Sequence, residues 1–313
     1  MQSGHLQIED GIGPERRKFR LARVNHGLKR LVCIGSDGFV TLAALRWLAD
    51  QDVAFTMMER DGKVLCDTGP VHPSDARLRS SQALAHQNRK ALEISREVLG
   101  AKLEGQERLV REQLKDSVTA DVIARFRERV SDADNLDSVR RFERESALAY
   151  WNAWHGVPIL FPQKDVKRVP AHWLRFGARR SPLTGGPRLA INPANAILNY
   201  CFAIAESECR LAASACGLDP GIGVLHVDTP NRDSLALDLI EPIRPSIEGW
   251  LLAWLTSEPL GAQTFSKQRA EIVASHLGFA RNSPKLHLYG ESSLRRGLST
   301  LRMHFCPAHR NRN

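Results

Sequence analysis

Turn-forming residues punctuate the first 75 positions and then thin out, and no other feature of this 313-residue chain narrows its fold as far. Before the change, the runs 19–24, 31–34 and 53–58 are short and apolar or alternating, as strands are. Gly35-Ser36-Asp37-Gly38 and Asp61-Gly62 read as turns, the second a hairpin turn before Lys63-Val64-Leu65. Between them, 41–50 carries Leu42, Leu45 and Leu48-Ala49 at helical spacing and predicts one short helix. After Thr68-Gly69-Pro70 and His72-Pro73, long helical patterns take over. The stretch 78–103 predicts a single helix, 105–129 one or two more, and Asp134-Asn135 a cap for the next. The expectation is an α+β chain: a small β-rich N-terminal domain over 1–74, then a larger all-α C-terminal domain over 75–313.

Composition excludes several classes. With 42% hydrophobic residues the chain can bury a core, and 25% charged residues is ordinary for a globular protein. Charges interrupt every apolar stretch, so no transmembrane helix is expected. Gly4, His5, Glu9 and Asp10 break any secretory pattern, which points to a cytoplasmic protein. None of the six cysteines forms a CxxC pair, and Cys201, Cys209 and Cys216 share one predicted helix at spacings suited to core packing. The net charge of +9 is local: Arg16, Arg17, Lys18, Arg20 and Arg23 crowd the start, and Lys164, Lys167, Arg168, Arg175, Arg179, Arg180 and Arg188 the middle. From 266 to the end there are nine Lys or Arg and two acids. Such density suits a phosphate backbone, with an inert basic surface as the alternative.

Three polar positions stand where apolar residues belong. Glu143 shares a helical face with Val139, Ala147, Tyr150 and Trp154, so it points inward and needs a cation, either a metal or an arginine such as Arg140. A helix opened by Asn192 and Pro193 ends at Gly217, and a tight turn then delivers Val224-Leu225-His226 to a loop edge. His226 there is a ligand or simply a hydrogen-bonding residue. Asp238 and Glu241 lie three apart on a short helix over 234–241, among Leu235, Leu237, Leu239 and Ile240. Neighbouring buried acids repel unless a cation lies between them. Carboxylates with a single imidazole suit Mg²⁺ or Mn²⁺ better than zinc. Acids that hold a metal within a basic surface are what phosphodiester chemistry requires.

At these residues a family resemblance emerges. Ile191-Asn192-Pro193-Ala194-Asn195-Ala196-Ile197-Leu198-Asn199-Tyr200 resembles an NPxNAxLNY helix. Gly217-Leu218-Asp219-Pro220 followed by Gly223-Val224-Leu225-His226 is similar to a GLDPxxGxLH segment. Arg232 with Ser234-Leu235-Ala236-Leu237-Asp238-Leu239-Ile240-Glu241-Pro242-Ile243-Arg244-Pro245 resembles RxSLALDLxExxRP. These three motifs, in order over 191–245, are those of the CRISPR-associated endonuclease that serves as the integrase of spacer acquisition. Glu143 followed by Tyr150-Trp151 is similar to the family's acidic helix, although Arg144 stands where that family usually has Gly. After about 257 the family's Phe-acid-Gly stretch is missing, and 266–313 is expected to be divergent and in part disordered.

The resemblance implies that Glu143, His226 and Glu241 coordinate Mg²⁺ or Mn²⁺, with Asp238 assisting the catalysis nearby. It implies double-stranded DNA as substrate, both short fragments and a CRISPR repeat. It also implies a homodimer and a small ferredoxin-like adaptation protein as partner, with no membrane. Insertion of short fragments into a CRISPR array, with the fragment's 3′-hydroxyl as nucleophile, is the expected activity. A DNA-binding scaffold that has lost its chemistry, or a transposon-borne relative with the same chemistry, are the competing expectations.

Overall fold

The computed structural model describes residues 4–10, 16–28, 30–34, 38–59, 64–68, 76–177, 179, 190, 192–226, 228–230, 232–261, 265–268 and 271–274. The turns expected at 35–37 and 61–62, the 69–73 stretch and the tail beyond 274 lie outside these residues. The chain divides into two compact units, Met1–Pro73 and Ser74–Asn313. The first is strand-rich and the second mostly helical, as the switch in periodicity predicts.

In the N-terminal unit, β1 (Leu6–Asp10) and β2 (Arg17–Leu21) pair antiparallel. A separate sheet has the order β3 (Arg30–Ile34), β4 (Ala54–Met58), β5 (Val64–Thr68). Its β3–β4 pair is parallel and its β4–β5 pair antiparallel. Helix α1 (Leu42–Asp50) forms the crossover that a parallel pair needs. Thr41 caps it, its side chain accepting from the backbone N–H of Ala44. Trp47 and Leu48 of α1 bury against Leu6, Val53 and Phe55. The Trp47 indole still makes its hydrogen bond, donating to the Gly4 carbonyl at 3.0 Å.

The C-terminal unit contains α2 (Ala76–Ala83), α3 (Lys90–Leu109), α4 (Ser117–Asp132), α5 (Leu136–Trp154), α6 (Pro193–Ala215), α7 (Ser234–Ile240) and α8 (Arg244–Ser257). A hairpin of β6 (Phe265–Gln268) and β7 (Glu271–Ala274) follows. Among the described residues no helix is long and apolar enough to cross a membrane. The caps read from the sequence are present: the side chain of Asn135 accepts from Ser138 N, and that of Asn192 from Asn195 N with Pro193 at the first helical position. Cys201 and Cys209 of α6 are buried, and burial pushes both thiols up from their ordinary value.

The single helix expected over 78–103 is instead two. The chain leaves α2 in turns over 84–89, passes Arg89 at φ 62°, and re-enters as α3, which runs on to Leu109. A tertiary interaction accounts for the break. The buried Gln82 amide donates to the carbonyls of Asp219 and Ile222 and accepts from Asp219 N, so the end of α2 is pinned to the loop before His226. Helical spacing cannot register a side chain recruited by a loop 137 residues away. Helix α3 packs against α4, α5, α7 and α8. Where α3 meets α8 the approach is close: a Cβ added at Gly105 would lie 2.6 Å from Pro245 Cβ.

Candidate functional site

Helix α3 presents Val98, Leu99, Leu103 and Gln106 inward, and Lys102 falls on the same stripe. Lys102 is only 6% exposed, so its ammonium must find partners within reach of its own stem. It finds two. Nζ donates to Glu143 Oε1 at 2.5 Å and lies 2.6 Å from Glu241 Oε2. The cation predicted for Glu143 is therefore Lys102 of another helix, and Arg140 turns elsewhere. Arg140 Nε donates to the Leu225 carbonyl at 2.8 Å.

Glu241 sits where α7 gives way to a 3-10 turn, Glu241–Ile243, ahead of α8. Pro242 and Pro245 enforce that change, since neither supplies a backbone N–H. Glu241 is 4% exposed and also accepts from Arg244 Nε at 2.9 Å. Burial alone would raise its pKa, but Arg244 and Lys102 outweigh burial and hold it at about 2. The same two acids raise Lys102 against the downward pull of its own burial. The Arg244 guanidinium also lies 4.4 Å from the centre of the Phe202 ring. One turn on, Glu248 is fully buried and accepts from the Tyr150 hydroxyl at 2.7 Å. A continuous buried polar layer thus joins α3, α5, α7 and α8.

Asp238 has a different set of partners. Its Oδ2 accepts from the backbone N–H groups of Val224 and Leu225 at 2.6 and 3.0 Å. Its Oδ1 accepts from His226 N at 3.0 Å and lies 2.6 Å from His226 Nδ1. Facing a carboxylate, Nδ1 is the ring nitrogen that donates, which leaves Nε2 as the one that can act as a ligand. Asp238 therefore fixes the position and tautomer of His226. The repulsion foreseen between Asp238 and Glu241 is answered separately for each: by three backbone N–H groups and an imidazole for the first, and by Lys102 and Arg244 for the second. A close approach of Gly223 to α7 sets the loop, since a Cβ there would stand 2.6 Å from Ser234 Cβ.

Glu143, His226 and Glu241 line one cavity of about 310 Å³, together with Leu99, Leu225, Arg140, Arg144 and Arg232. Three residues foreseen from sequence thus share a concavity, and Asp238 stands behind it. Among the described residues no three His, Cys, Asp or Glu side chains form a ready-made ligand cluster, and the two glutamates share Lys102. The donor set still has the chemistry of a hard-cation site: two carboxylates and a neutral imidazole. Glu241 Oε2, moreover, is buried with the Lys102 ammonium 2.6 Å away, a position where a carboxylate oxygen already faces a cation. Sequence reasoning missed Lys102. The signal was present as a lysine on an apolar stripe, one turn from Leu99 and Val98.

A family model described as CRISPR associated protein Cas1 matches residues 3–280. The CRISPR-associated endonuclease Cas1 1 of Archaeoglobus fulgidus is 27% identical over 263 residues, covering 78% of this chain and 72% of its own length. A CRISPR-associated exonuclease Cas4/endonuclease Cas1 fusion of Rhodospirillum rubrum is 30% identical over 233 residues, which is 72% of this chain and 38% of the fusion. Among solved structures, a Cas1 protein from Thermotoga maritima matches with a TM-score of 0.75 at 16% identity, covering 100% of this chain and 96% of that one. A casposase bound to integration product matches with a TM-score of 0.71 at 20% identity, covering 96% and 79%. At such identities the structural likeness speaks to the fold.

Proposed function

This chain belongs to the CRISPR-associated Cas1 family, and from that premise we propose that it is a divalent-metal-dependent DNA endonuclease and integrase that inserts short DNA fragments into a CRISPR array. The observation that carries this is the convergence of Glu143, His226 and Glu241 on one cavity rimmed by Arg140, Arg144 and Arg232. Glu143, His226 and Glu241 would hold Mg²⁺ or Mn²⁺, which, when bound, supplies charge neutralisation at the scissile phosphate.

The chain's own groups do the rest. Arg144 and Arg232 face the cavity and would engage phosphate oxygens of the entering backbone. Asp238 keeps His226 in the tautomer with Nε2 unprotonated. Arg244 and Lys102 keep Glu241 ionised at any physiological pH. No side chain need act as nucleophile, because a 3′-hydroxyl of the fragment can attack. The proposal includes a cytoplasmic homodimer working with a small ferredoxin-like partner. The likeness to a Cas6-RT-Cas1–Cas2 complex supports a multiprotein setting: TM-score 0.64 at 16% identity, covering 96% of this chain and 34% of that one.

A strand-transfer assay tests this: a short duplex, a repeat-bearing plasmid, Mg²⁺ or Mn²⁺, with and without the small partner. Joined product that disappears in Glu143→Ala, His226→Ala and Glu241→Ala is the expected result. Cation-independent joining, or none with any substrate, overturns it. The casposase likeness favours one second reading, a transposon-borne integrase with the same chemistry. Equal joining into plasmids with and without the repeat would favour that alternative.

A further inference from the structure

Two acids and two bases meet at the cavity wall: part-buried Glu143 and buried Glu241, with Lys102 and Arg244. The formal charges of these four cancel, and burial pushes the neighbouring Glu248 toward its neutral form. A divalent cation added to this set would leave two uncompensated positive charges beside groups of which Lys102 and Glu241 are buried. One of the resident cations must therefore give way, or an anion must enter with the metal.

The two bases are not equally free to move. Arg244 is held by its bond to Glu241 Oε1 at 2.9 Å and by the Phe202 ring beneath its guanidinium. Its planar fork is held on both sides there, by the carboxylate and by the ring. Lys102 is a point charge on a flexible four-carbon stem. Its two partners stand on different elements, Glu143 Oε1 at 2.5 Å and Glu241 Oε2 at 2.6 Å. Leu99, one turn earlier on α3, lines the cavity, as do both carboxylates that Lys102 bridges.

We propose that Lys102 is the resident counter-cation of this site: its ammonium bridges Glu143 and Glu241 in the metal-free protein and is displaced when a divalent cation binds between them. The proposal rests on the assignment of Glu143 and Glu241 as ligands. It makes Lys102 a positioning residue with two effects. Without metal it keeps the two carboxylates together and the four-helix junction folded. With metal it is a competitor, so the cation is bound weakly until phosphate brings negative charge into the cavity and the ammonium has a new partner there.

The test measures binding rather than turnover. Mn²⁺ titrations followed by electron paramagnetic resonance, and melting temperatures with and without Mn²⁺, are recorded for the wild type, Lys102→Met, Lys102→Arg and Glu241→Ala. Lys102→Met, unbranched, one atom shorter and uncharged, should melt below the wild type without Mn²⁺, gain more on its addition, and bind Mn²⁺ at least about tenfold more tightly. A Lys102→Met protein that folds only when Mn²⁺ is supplied carries the same meaning. Lys102→Arg keeps the charge on a bulkier group and should bind Mn²⁺ more weakly than the wild type. Wild-type binding that is lost in Glu241→Ala but unchanged or weakened in Lys102→Met overturns the role of Lys102 while leaving the ligand assignment standing. If Lys102→Met cannot be folded at all, unchanged or tighter binding by Lys102→Arg overturns it. Absence of Mn²⁺ binding in the wild type and in every folded variant overturns the ligand assignment, and this proposal with it.

Discussion

Asp238 meets His226 twice through one oxygen: Oδ1 accepts the backbone N–H at 3.0 Å and faces ring Nδ1 at 2.6 Å. Residue 238 therefore shapes the loop before it shapes the imidazole. Asp238→Asn replaces one acceptor oxygen with a donor among four N–H groups, and it should cost about 1–3 kcal/mol of stability. His226→Ala removes only the ring and should leave the melting temperature within a few degrees of the wild type while abolishing cation-dependent cleavage. Thermal melts paired with a nuclease assay separate the two. A well-folded, fully active His226→Ala would remove His226 from the site.

Glu241→Ala strands Lys102 and Arg244 in the interior with one acid fewer. Breaking a buried ion pair from one side costs about 3–5 kcal/mol. Cleavage should be lost at any practical Mn²⁺ concentration, with the denaturant midpoint clearly lowered. Asp238→Ala should instead recover in part as Mn²⁺ is raised, because it acts through His226. Rescue of Glu241→Ala but not of Asp238→Ala would reverse the two roles.

Acid should unfold the C-terminal unit through Glu241. Its folded pKa of about 2 lies below the ordinary 4.5, so its stabilisation is complete above about pH 4.5 and is lost as pH falls toward 2. Glu241→Gln removes that titration. Its stability, compared with the wild type by circular dichroism, should converge as pH is lowered through this window. A gap that stays constant down to pH 2 would show that Glu241 is not the titrating group.

DNA affinity should fall steeply with salt, since phosphate contacts release counterions. Arg144→Ala and Arg232→Ala should each reduce the slope of log Kd against log salt by about 1. Their effect should be similar for unrelated sequences. A slope that neither substitution alters would place the phosphates away from this cavity.

Gly223→Ala should disturb the His226 loop without touching a charged group. The added Cβ would sit 2.6 Å from Ser234 Cβ and 3.0 Å from the His226 carbonyl oxygen. Neither neighbour is the end of a flexible chain, so the loop must shift away from α7. Reduced cleavage with unchanged DNA affinity is the expected signature, measured by parallel nuclease and binding assays.

Much of this architecture can be read along the chain because it is locally encoded. Asn135 and Asn192 announce helices by caps that act over three residues. The change from alternating to helical spacing marks the two units. Glu143, His226 and Glu241 stand out as polar groups among apolar neighbours, and linear patterning detects that kind of misfit. The missing parts are those set by distant partners. Gln82 ends α2 through a loop 137 residues later. Lys102 reaches Glu143 across 41 residues, and a lone lysine on an amphipathic helix passes as solvated until its depth is known.

The contact of Gly105 with Pro245 carries a consequence for how this protein can evolve. Gly105 lies one turn from Lys102, and Pro245 immediately follows Arg244, so the two backbones are clamped beside the ion network by a hydrogen atom where other helices place a side chain. The clamp works as a spacer of fixed thickness. A mutation at 105 alone would thicken it and pull Lys102 away from Glu241 without altering either charge. Substitution at 105 is therefore open only to lineages that first remodel position 245, and drift elsewhere on α3 leaves the gauge of the site untouched.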